Sequence, residues 1–314
     1  MTQYKIFVDG AVGTTGLRIH ERLSSQADIQ LLTLPEAQRK DLDARLAKIS
    51  EADLTFLCLP DEAAKEIVAA APPSARICDT STAHRVNPDW VYGFAELSGR
   101  TAKIAEANRV AVPGCHATGF IALVRPLVEY FALSAASPLY CHSLTGYSGG
   151  GKGMIAEYQT ENRAEAFNAP RIYGLGLKHK HLPEMTAVTG LTSAPIFTPV
   201  VADYYSGMLV TVPLPLAVLA EKYRSGEAVT QLLSDYYQDR RLIRVKPHAD
   251  IPADGMLAAN GLSGKDNLDI AVFSNDTQLL LTARFDNLGK GASGAAIQCM
   301  NIMLGRAETA GLVI

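Results

Sequence analysis

Apolar residues along the first third of the chain fall into short runs separated by helical-period stretches and glycine- or proline-marked turns. Residues 4–8 form the first apolar run, followed by Asp9-Gly10-Ala11-Val12-Gly13-Thr14-Thr15-Gly16 and a helical pattern to about Leu23. Residues 29–34 read as a second strand, 41–49 as an amphipathic helix and 53–59 as a third strand. Pro60-Asp61 then opens a helix to about Ala71, and further strands are expected at 75–78 and 109–112. Strands alternating with helices predict an α/β, Rossmann-like, doubly wound parallel sheet, whose ligands bind beyond the carboxyl ends of the strands.

The pattern changes after Val112-Pro113-Gly114-Cys115-His116-Ala117-Thr118-Gly119. From Thr118, apolar residues recur at helical spacing: Phe120, Ile121, Val124, Leu127, Val128 and Phe131. Strand-like runs follow at 139–144, 196–201, 208–212, 242–245, 268–273 and 279–285, with few helices between them. This predicts a second, α+β domain with a largely antiparallel sheet. Thr145-Gly146-Tyr147-Ser148-Gly149-Gly150-Gly151-Lys152 reads as a loop, either phosphate-carrying or flexible. A last helix from about Gly291 carries Ala295, Ile297, Met300, Ile302, Met303 and Leu304, too many apolar positions for a free tail. The expected division is therefore 1–114 with 291–314 as a nucleotide-binding domain, and 115–290 as a catalytic domain.

Length and composition agree with two cored domains: 314 residues, 48% hydrophobic and 19% charged. The net charge of −3 and the lack of a basic block point away from nucleic acid and anionic membranes. The chain enters its first strand without a secretory signal and has no apolar run of membrane-spanning length, so a cytoplasmic location is expected. Five scattered cysteines (58, 78, 115, 141 and 299) without a CxxC suit a reduced compartment and give no zinc framework.

Two stretches carry chemistry on their own. Gly10, Gly13 and Gly16 give G-x-x-G-x-x-G, a variant of the dinucleotide fingerprint. Glycine there allows a tight turn, close backbone approach to a diphosphate and close helix–strand packing. Gly10, Ala11, Gly13, Thr14, Thr15 and Gly16 are thus candidate cofactor contacts; an ordinary strand–helix turn is the plainer reading. The second strand ends at Thr33 without the acid that holds a ribose 2′-hydroxyl, and Arg39 and Lys40 follow. That favours NADP, unless these cations belong to a solvated helix face. Cys115 stands where a strand breaks at Pro-Gly and a helix begins. Free helix amides favour a thiolate there, whereas a small buried apolar residue is the alternative.

Together the motifs resemble the N-acetyl-γ-glutamyl-phosphate reductases, in their shorter variant, within the wider aspartate-semialdehyde and glyceraldehyde-3-phosphate dehydrogenase group. The resemblance spans essentially the whole chain. It rests on Val112-Pro113-Gly114-Cys115-x-Ala117-Thr118-Gly119, Asp79-x-Ser81 with Arg85, and Tyr92-Gly93-x-x-Glu96-Leu97. His179-x-His181-x-Pro183-Glu184 and Asp286-Asn287-Leu288-x-Lys290-Gly291-Ala292 complete it. The chain departs from the family in carrying His116 where many members have an aromatic residue, and Lys152 where others often have arginine.

The resemblance implies that Cys115 is the nucleophile and that the catalytic histidine falls on His179, with His181 close by. In an extended segment these two rings point to opposite faces, so only one would face Cys115. A metal site is the other reading of the pair, but no partner cluster accompanies it. Ser81, Asn287, Lys290 and Gly291 are implied cofactor contacts, and Arg85, Ser148, Lys152 and Glu184 implied contacts for substrate or phosphate. The implied reaction is reductive dephosphorylation of an acyl phosphate: Cys115 forms a thioester, NADPH reduces it, and the semialdehyde leaves, in arginine biosynthesis. A homo-oligomer, dimer or tetramer, is expected. Alternatives are a related reductase of another acyl phosphate, such as an aspartate-semialdehyde dehydrogenase, a non-catalytic NADP-binding redox protein, and a cysteine hydrolase. The Gly10–Gly16 turn argues against the hydrolase, because hydrolysis needs no dinucleotide.

Overall fold

A computed structural model describes residues 3–11 and 13–314; Met1, Thr2 and Val12, the last within the glycine-rich turn, lie outside the described residues. The chain divides into two compact units. One comprises residues 1–113 and 292–312, the other 114–291 with 313–314.

The first unit begins β1 (Tyr4–Asp9), α1 (Thr14–Ser24), β2 (Ile29–Leu32), α2 (Leu42–Glu51), β3 (Leu54–Leu57), α3 (Asp61–Ala70) and β4 (Ile77–Asp79). It continues with β5 (Val91–Tyr92), α4 (Arg100–Glu106) and β6 (Arg109–Ala111). The six strands form one sheet in the order β2-β1-β3-β4-β6-β5, and every pair is parallel. Strand alternation builds two cores on its faces. Ile6 and Val8 join Ile19 and Leu23 of α1 and Ile104 of α4 on one side. Phe7 joins Ile49 of α2 and Ala64 and Ile67 of α3 on the other. The doubly wound sheet read from the sequence is present. Its strands are shorter than the apolar runs: β2 stops at Leu32 rather than at 34, where pairing with β1 ends and Thr33 becomes exposed. The sequence reading passed over β5 and α4, a two-residue strand and a two-turn helix.

The second unit holds α5 (Cys115–Glu129), β7 (Tyr140–Gly146), α6 (Gly151–Gln159), β8 (Arg171–Ile172), α7 (Leu182–Thr189), β9 (Ile196–Ala202) and β10 (Met208–Pro215). It also holds α8 (Gly226–Tyr236), β11 (Ile243–Val245), β12 (Leu268–Ser274) and β13 (Gln278–Phe285). Its seven strands run β11-β12-β13-β10-β7-β9-β8. The pairs β11·β12 and β7·β9 are parallel and the other four antiparallel. The expected loop at 145–152 is instead a strand end, a short 3₁₀ turn and the start of α6. Helix α5 starts at Cys115, three residues before the apolar period, because the Thr118 amide already donates to the Gly114 carbonyl at 2.8 Å.

After a single π turn at Gly289–Ser293 the chain forms α9 (Gly294–Met303) within the first unit. Ala295, Ala296, Ile297, Cys299, Met300, Ile302 and Met303 are buried in the α1-side core. Arg306 ties the end of this segment to Asp28 and Gln26.

Helix α5 is buried along most of its length and packs on β10 and β13. A methyl group on Gly119 would lie 2.5 Å from Val210 Cγ2 and 2.9 Å from Phe285 Cε1, so the helix seats only with glycine there. Gly119→Ala is expected to destabilise the protein by roughly 1–3 kcal/mol, because the helix must lift from the sheet. The midpoint of urea unfolding at unchanged m-value measures this.

Candidate active site

Cys115 is the first residue of α5, with Gly114 as N-cap in extended conformation and no side chain capping the helix. A helix start of this kind favours an anion. Cys115 is half-buried. The Gly114 amide donates to Glu184 Oε2 at 3.1 Å, and Glu184 is 1% exposed in the first turn of α7. That bond ties the Cys115 turn to the segment carrying the histidine pair. On another side, a methyl group on Gly291 would come within 2.9 Å of Cys115 Cβ. Glycine there leaves the thiol its place.

His181 is the N-cap residue of α7 and buried, while His179 is half-buried two residues earlier. The His181 amide donates to His179 Nδ1 at 3.1 Å, so in the neutral His179 ring the proton sits on Nε2. The two rings meet edge-on at 4.7 Å. Both also meet His116, at 5.6 Å for His179 and 5.7 Å for His181. The pair therefore does not point to opposite sides: the segment is a turn entering a helix, not an extended strand. His116 bonds Ser143 Oγ through Nδ1 at 2.7 Å and Tyr173 Oη through Nε2 at 2.6 Å. Burial, with smaller contributions from His179 and Lys180, holds His116 down to about 3. It is thus a neutral ring beside Cys115 at physiological pH. Burial chiefly, and the nearby Cys115, push the Tyr173 hydroxyl well above its usual range, so it keeps its proton. The sequence reading assigned no role to Ser143 or Tyr173. Neither lies in a recognisable motif, and only the fold brings them to His116.

Of the other residues in this unit, Ser148 is buried and accepts from Asn287 Nδ2 at 3.0 Å. Asn287 Oδ1 in turn accepts from the Gly207 amide at 2.8 Å. This bridge joins the glycine-rich turn to the β9–β10 connection. Lys290 is 1% exposed. Lys152 is exposed in the first turn of α6, another helix start without a side-chain cap.

The remaining predicted residues lie in the first unit. Gly10 has φ +85°, and a Cβ there would stand 2.3 Å from the Cys58 carbonyl oxygen, so only glycine makes this turn. Gly13 is the N-cap of α1, without a side-chain cap, and half-buried Thr15 sits in the first turn. Thr14 Oγ1 is buried with no hydrogen-bond partner among the described residues. Gly16 packs onto Gly10, and half-buried Ala11 follows Gly10 in the turn. Uncapped amides, a bare backbone and an orphaned hydroxyl fit a bound dinucleotide diphosphate. Immediately before the turn, Asp9 is buried against Arg45, 2.7 Å from Nη2. Thr33 and Arg39 are exposed beyond β2, and Arg39 meets Glu36 only loosely at 3.9 Å. After β4, Asp79 receives both the Ser81 hydroxyl and His84 Nδ1 at 2.6 Å, and His84 stacks on Trp90 at 4.2 Å. Arg85 donates to the Val112 and Thr80 carbonyls at 2.9 Å each. Those bonds brace the strand ends.

Among the described residues no group of three His, Cys, Asp or Glu side chains is placed to hold a metal ion, and no helix is long and apolar enough to cross a membrane. Burial pushes the thiol of Cys58 up to about 12 and raises those of Cys78 and Cys141 further, which suppresses their thiolates.

A parallel doubly wound unit, a second mixed-sheet unit and a helix-initiating cysteine beside histidines define a nucleotide-dependent, thiol-based dehydrogenase class. Residues 5–106 match the family described as "Semialdehyde dehydrogenase, NAD binding domain", and residues 115–287 match "Semialdehyde dehydrogenase, dimerisation domain". The fold is that of aspartate semialdehyde dehydrogenase II of Vibrio cholerae, with TM-score 0.70 and 16% identity, covering 97% of this chain and 99% of that one. It is likewise that of the Candida albicans aspartate semialdehyde dehydrogenase solved with NADP, with TM-score 0.63 and 17% identity over 96% and 99% of the two chains. The N-acetyl-gamma-glutamyl-phosphate reductase of Burkholderia lata is 45% identical over 99% of both chains. The chain belongs to the N-acetyl-γ-glutamyl-phosphate reductase family of semialdehyde dehydrogenases.

His116 binds fewer protons folded than unfolded between its ordinary value of 6.5 and about 3. Stability is therefore lost as pH falls through that window, by at most about 1.4 kcal/mol per pH unit from this group. His116→Phe is expected to show a shallower fall of melting temperature between pH 6.5 and 4 than the natural protein. Parallel slopes in thermal scans across this range contradict the assignment.

Proposed function

We propose that this protein reduces N-acetyl-γ-glutamyl phosphate to N-acetylglutamate semialdehyde with NADPH, a step of arginine biosynthesis. The observation that carries the reading is Cys115 at an uncapped helix start, tied by Gly114 and Glu184 to the segment bearing His179 and His181. The Cys115 thiolate attacks the acyl carbon, phosphate leaves, and a thioester forms on sulfur. The cofactor, when bound, supplies the hydride that takes the acyl carbon to the aldehyde level. The Cys115 amide stabilises the oxyanion at the helix start, and His179 Nε2 gives and takes the protons, with His181 holding its ring edge-on. Glu184 orients the Gly114 turn. Lys152 and the α6 amides attract the phosphate, and Ser148 is held in the same glycine-rich turn; Arg85 is a further phosphate contact of the first unit.

Residues 1–114 with the last helix serve as the cofactor domain and 115–290 as the catalytic domain. The Gly10–Gly16 turn and Thr14 hold the diphosphate, Ser81 lies at the β4 end, and Asn287, Lys290 and Gly291 contribute from the catalytic side. A homo-oligomer is supported by the dimerisation-domain match and by an exposed apolar stripe in which Leu280 pairs with Pro213 and Tyr140 with Ile196. Free cysteines suit the cytoplasm.

The test runs the reaction backwards: protein, NADP, N-acetylglutamate semialdehyde and phosphate, followed by absorbance of the reduced nicotinamide, with aspartate semialdehyde in parallel. Cys115→Ser is expected to keep the fold and cofactor binding and lose roughly three orders of magnitude in turnover, about 4 kcal/mol of barrier. Normal turnover of that variant refutes the mechanism.

NADP is expected to exceed NAD in kcat/KM, because Thr33 replaces the usual acid and the Arg39 charge is exposed and loosely paired. Arg39→Gln is expected to narrow that preference roughly tenfold, at the scale of one charge-assisted phosphate contact. A natural preference for NAD would overturn the assignment.

A further inference from the structure

The two hydrogen bonds of His116 carry a direction. A neutral imidazole has one N–H and one acceptor nitrogen, so one of its partners must donate and the other accept. Ser143 Oγ is wholly buried, and among the described residues its hydroxyl has this one hydrogen bond. Were the proton on Nδ1, Ser143 would accept and its own O–H would be buried without an acceptor, which carries the full desolvation penalty. The proton therefore sits on Nε2: Ser143 donates to Nδ1, and Nε2–H donates to Tyr173 Oη. With its oxygen occupied as acceptor, Tyr173 has its own O–H left to give. His116 directly follows Cys115 in the first turn of α5, so its 2.6 Å bond to Tyr173 Oη holds that hydroxyl at the Cys115 turn.

We propose that His116 is a positioning residue which, by its fixed tautomer, makes the Tyr173 hydroxyl a hydrogen-bond donor toward Cys115 and the acyl group it carries. The proposal rests on the reductase reading for its substrate. Every group facing His116 suits such a role. Ser143 comes from β7, Phe197 from β9, and Tyr173, His179 and His181 from the segment between β8 and α7. The charged or titratable groups that act on it are His179 and Lys180, and both act against a proton on the ring. A phenyl ring at 116 would fill the same space without orienting Tyr173. A hydroxyl that donates favours the thiolate before attack and the oxyanion after it.

The experiment compares His116→Phe, Tyr173→Phe and the double variant. Read-outs are kcat, KM for NADPH, and the pH dependence of Cys115 alkylation by iodoacetamide in the free protein. Each single variant is expected to lose roughly 10- to 100-fold in kcat, the scale of one oxyanion donor, with KM for NADPH within about twofold. The alkylation midpoint is expected to move up by about half a pH unit in both. The double variant should lose no more than the worse single, because one residue acts through the other. Natural kcat and alkylation profile in His116→Phe, or losses that multiply in the double variant, overturn the proposal. If circular dichroism shows His116→Phe unfolded, Ser143→Ala takes its place. It frees the tautomer while keeping the ring, and is expected to cut kcat severalfold with the same upward shift; no change in either overturns the proposal. If the natural protein turns over no acyl phosphate, the reductase reading fails, and the alkylation profiles still decide the role of His116.

Discussion

The chemistry of the second unit depends on how closely one helix lies on one sheet. Helix α5 reaches β10 and β13 at Gly119, where not even a methyl group fits. That approach fixes the height of its first turn, and so the position of Cys115. The Gly114 amide then anchors the same turn sideways to Glu184, and Gly291 backs the thiol from behind. A helix free to ride up by a fraction of an ångström would move the sulfur relative to the histidines. Thiol chemistry tolerates such displacement poorly, since reacting atoms must approach within about 3–3.5 Å in line.

Around this anchor the protein packs rings. His116, His179, His181, Tyr173 and Phe197 lie at ring distances of 4.7–6.1 Å. Burial strips His116 of its charge, and burial also keeps Tyr173 protonated. A neutral ring with directed hydrogen bonds orients its neighbours without the desolvation cost of a buried imidazolium. The Lys152 cation of the second unit stands instead at a helix start, where solvent reaches it.

Much of this was legible in the sequence, and the failures have physical causes. The parallel sheet, both long strands β12 and β13, and the Cys115 turn follow from apolar runs punctuated by glycine and proline. The Gly10–Gly16 turn was recognisable because its backbone demands glycine. Helix α8 was legible as well: Ser225 caps Ala228, and Val229, Leu232, Leu233 and Tyr236 repeat at helical spacing, but the run of strands around it drew attention away. The alternation expected of an extended His179–His181 segment does not apply, because His181 is the start of a helix. Ser143 and Tyr173 could not have been found by spacing. Their meeting with His116 depends on three elements far apart in the chain.

The first unit is interrupted, and the order of synthesis follows from that. Seven residues of α9 lie in the α1-side core, and Arg306 ties the same segment to Asp28. A chain emerging from the ribosome exposes that face of the parallel sheet until residues 294–306 are released. The inserted unit is synthesised before then, so the first unit cannot complete this core until the second has been made, although its strands are made first. Truncation at the carboxyl end strikes the amino-terminal half.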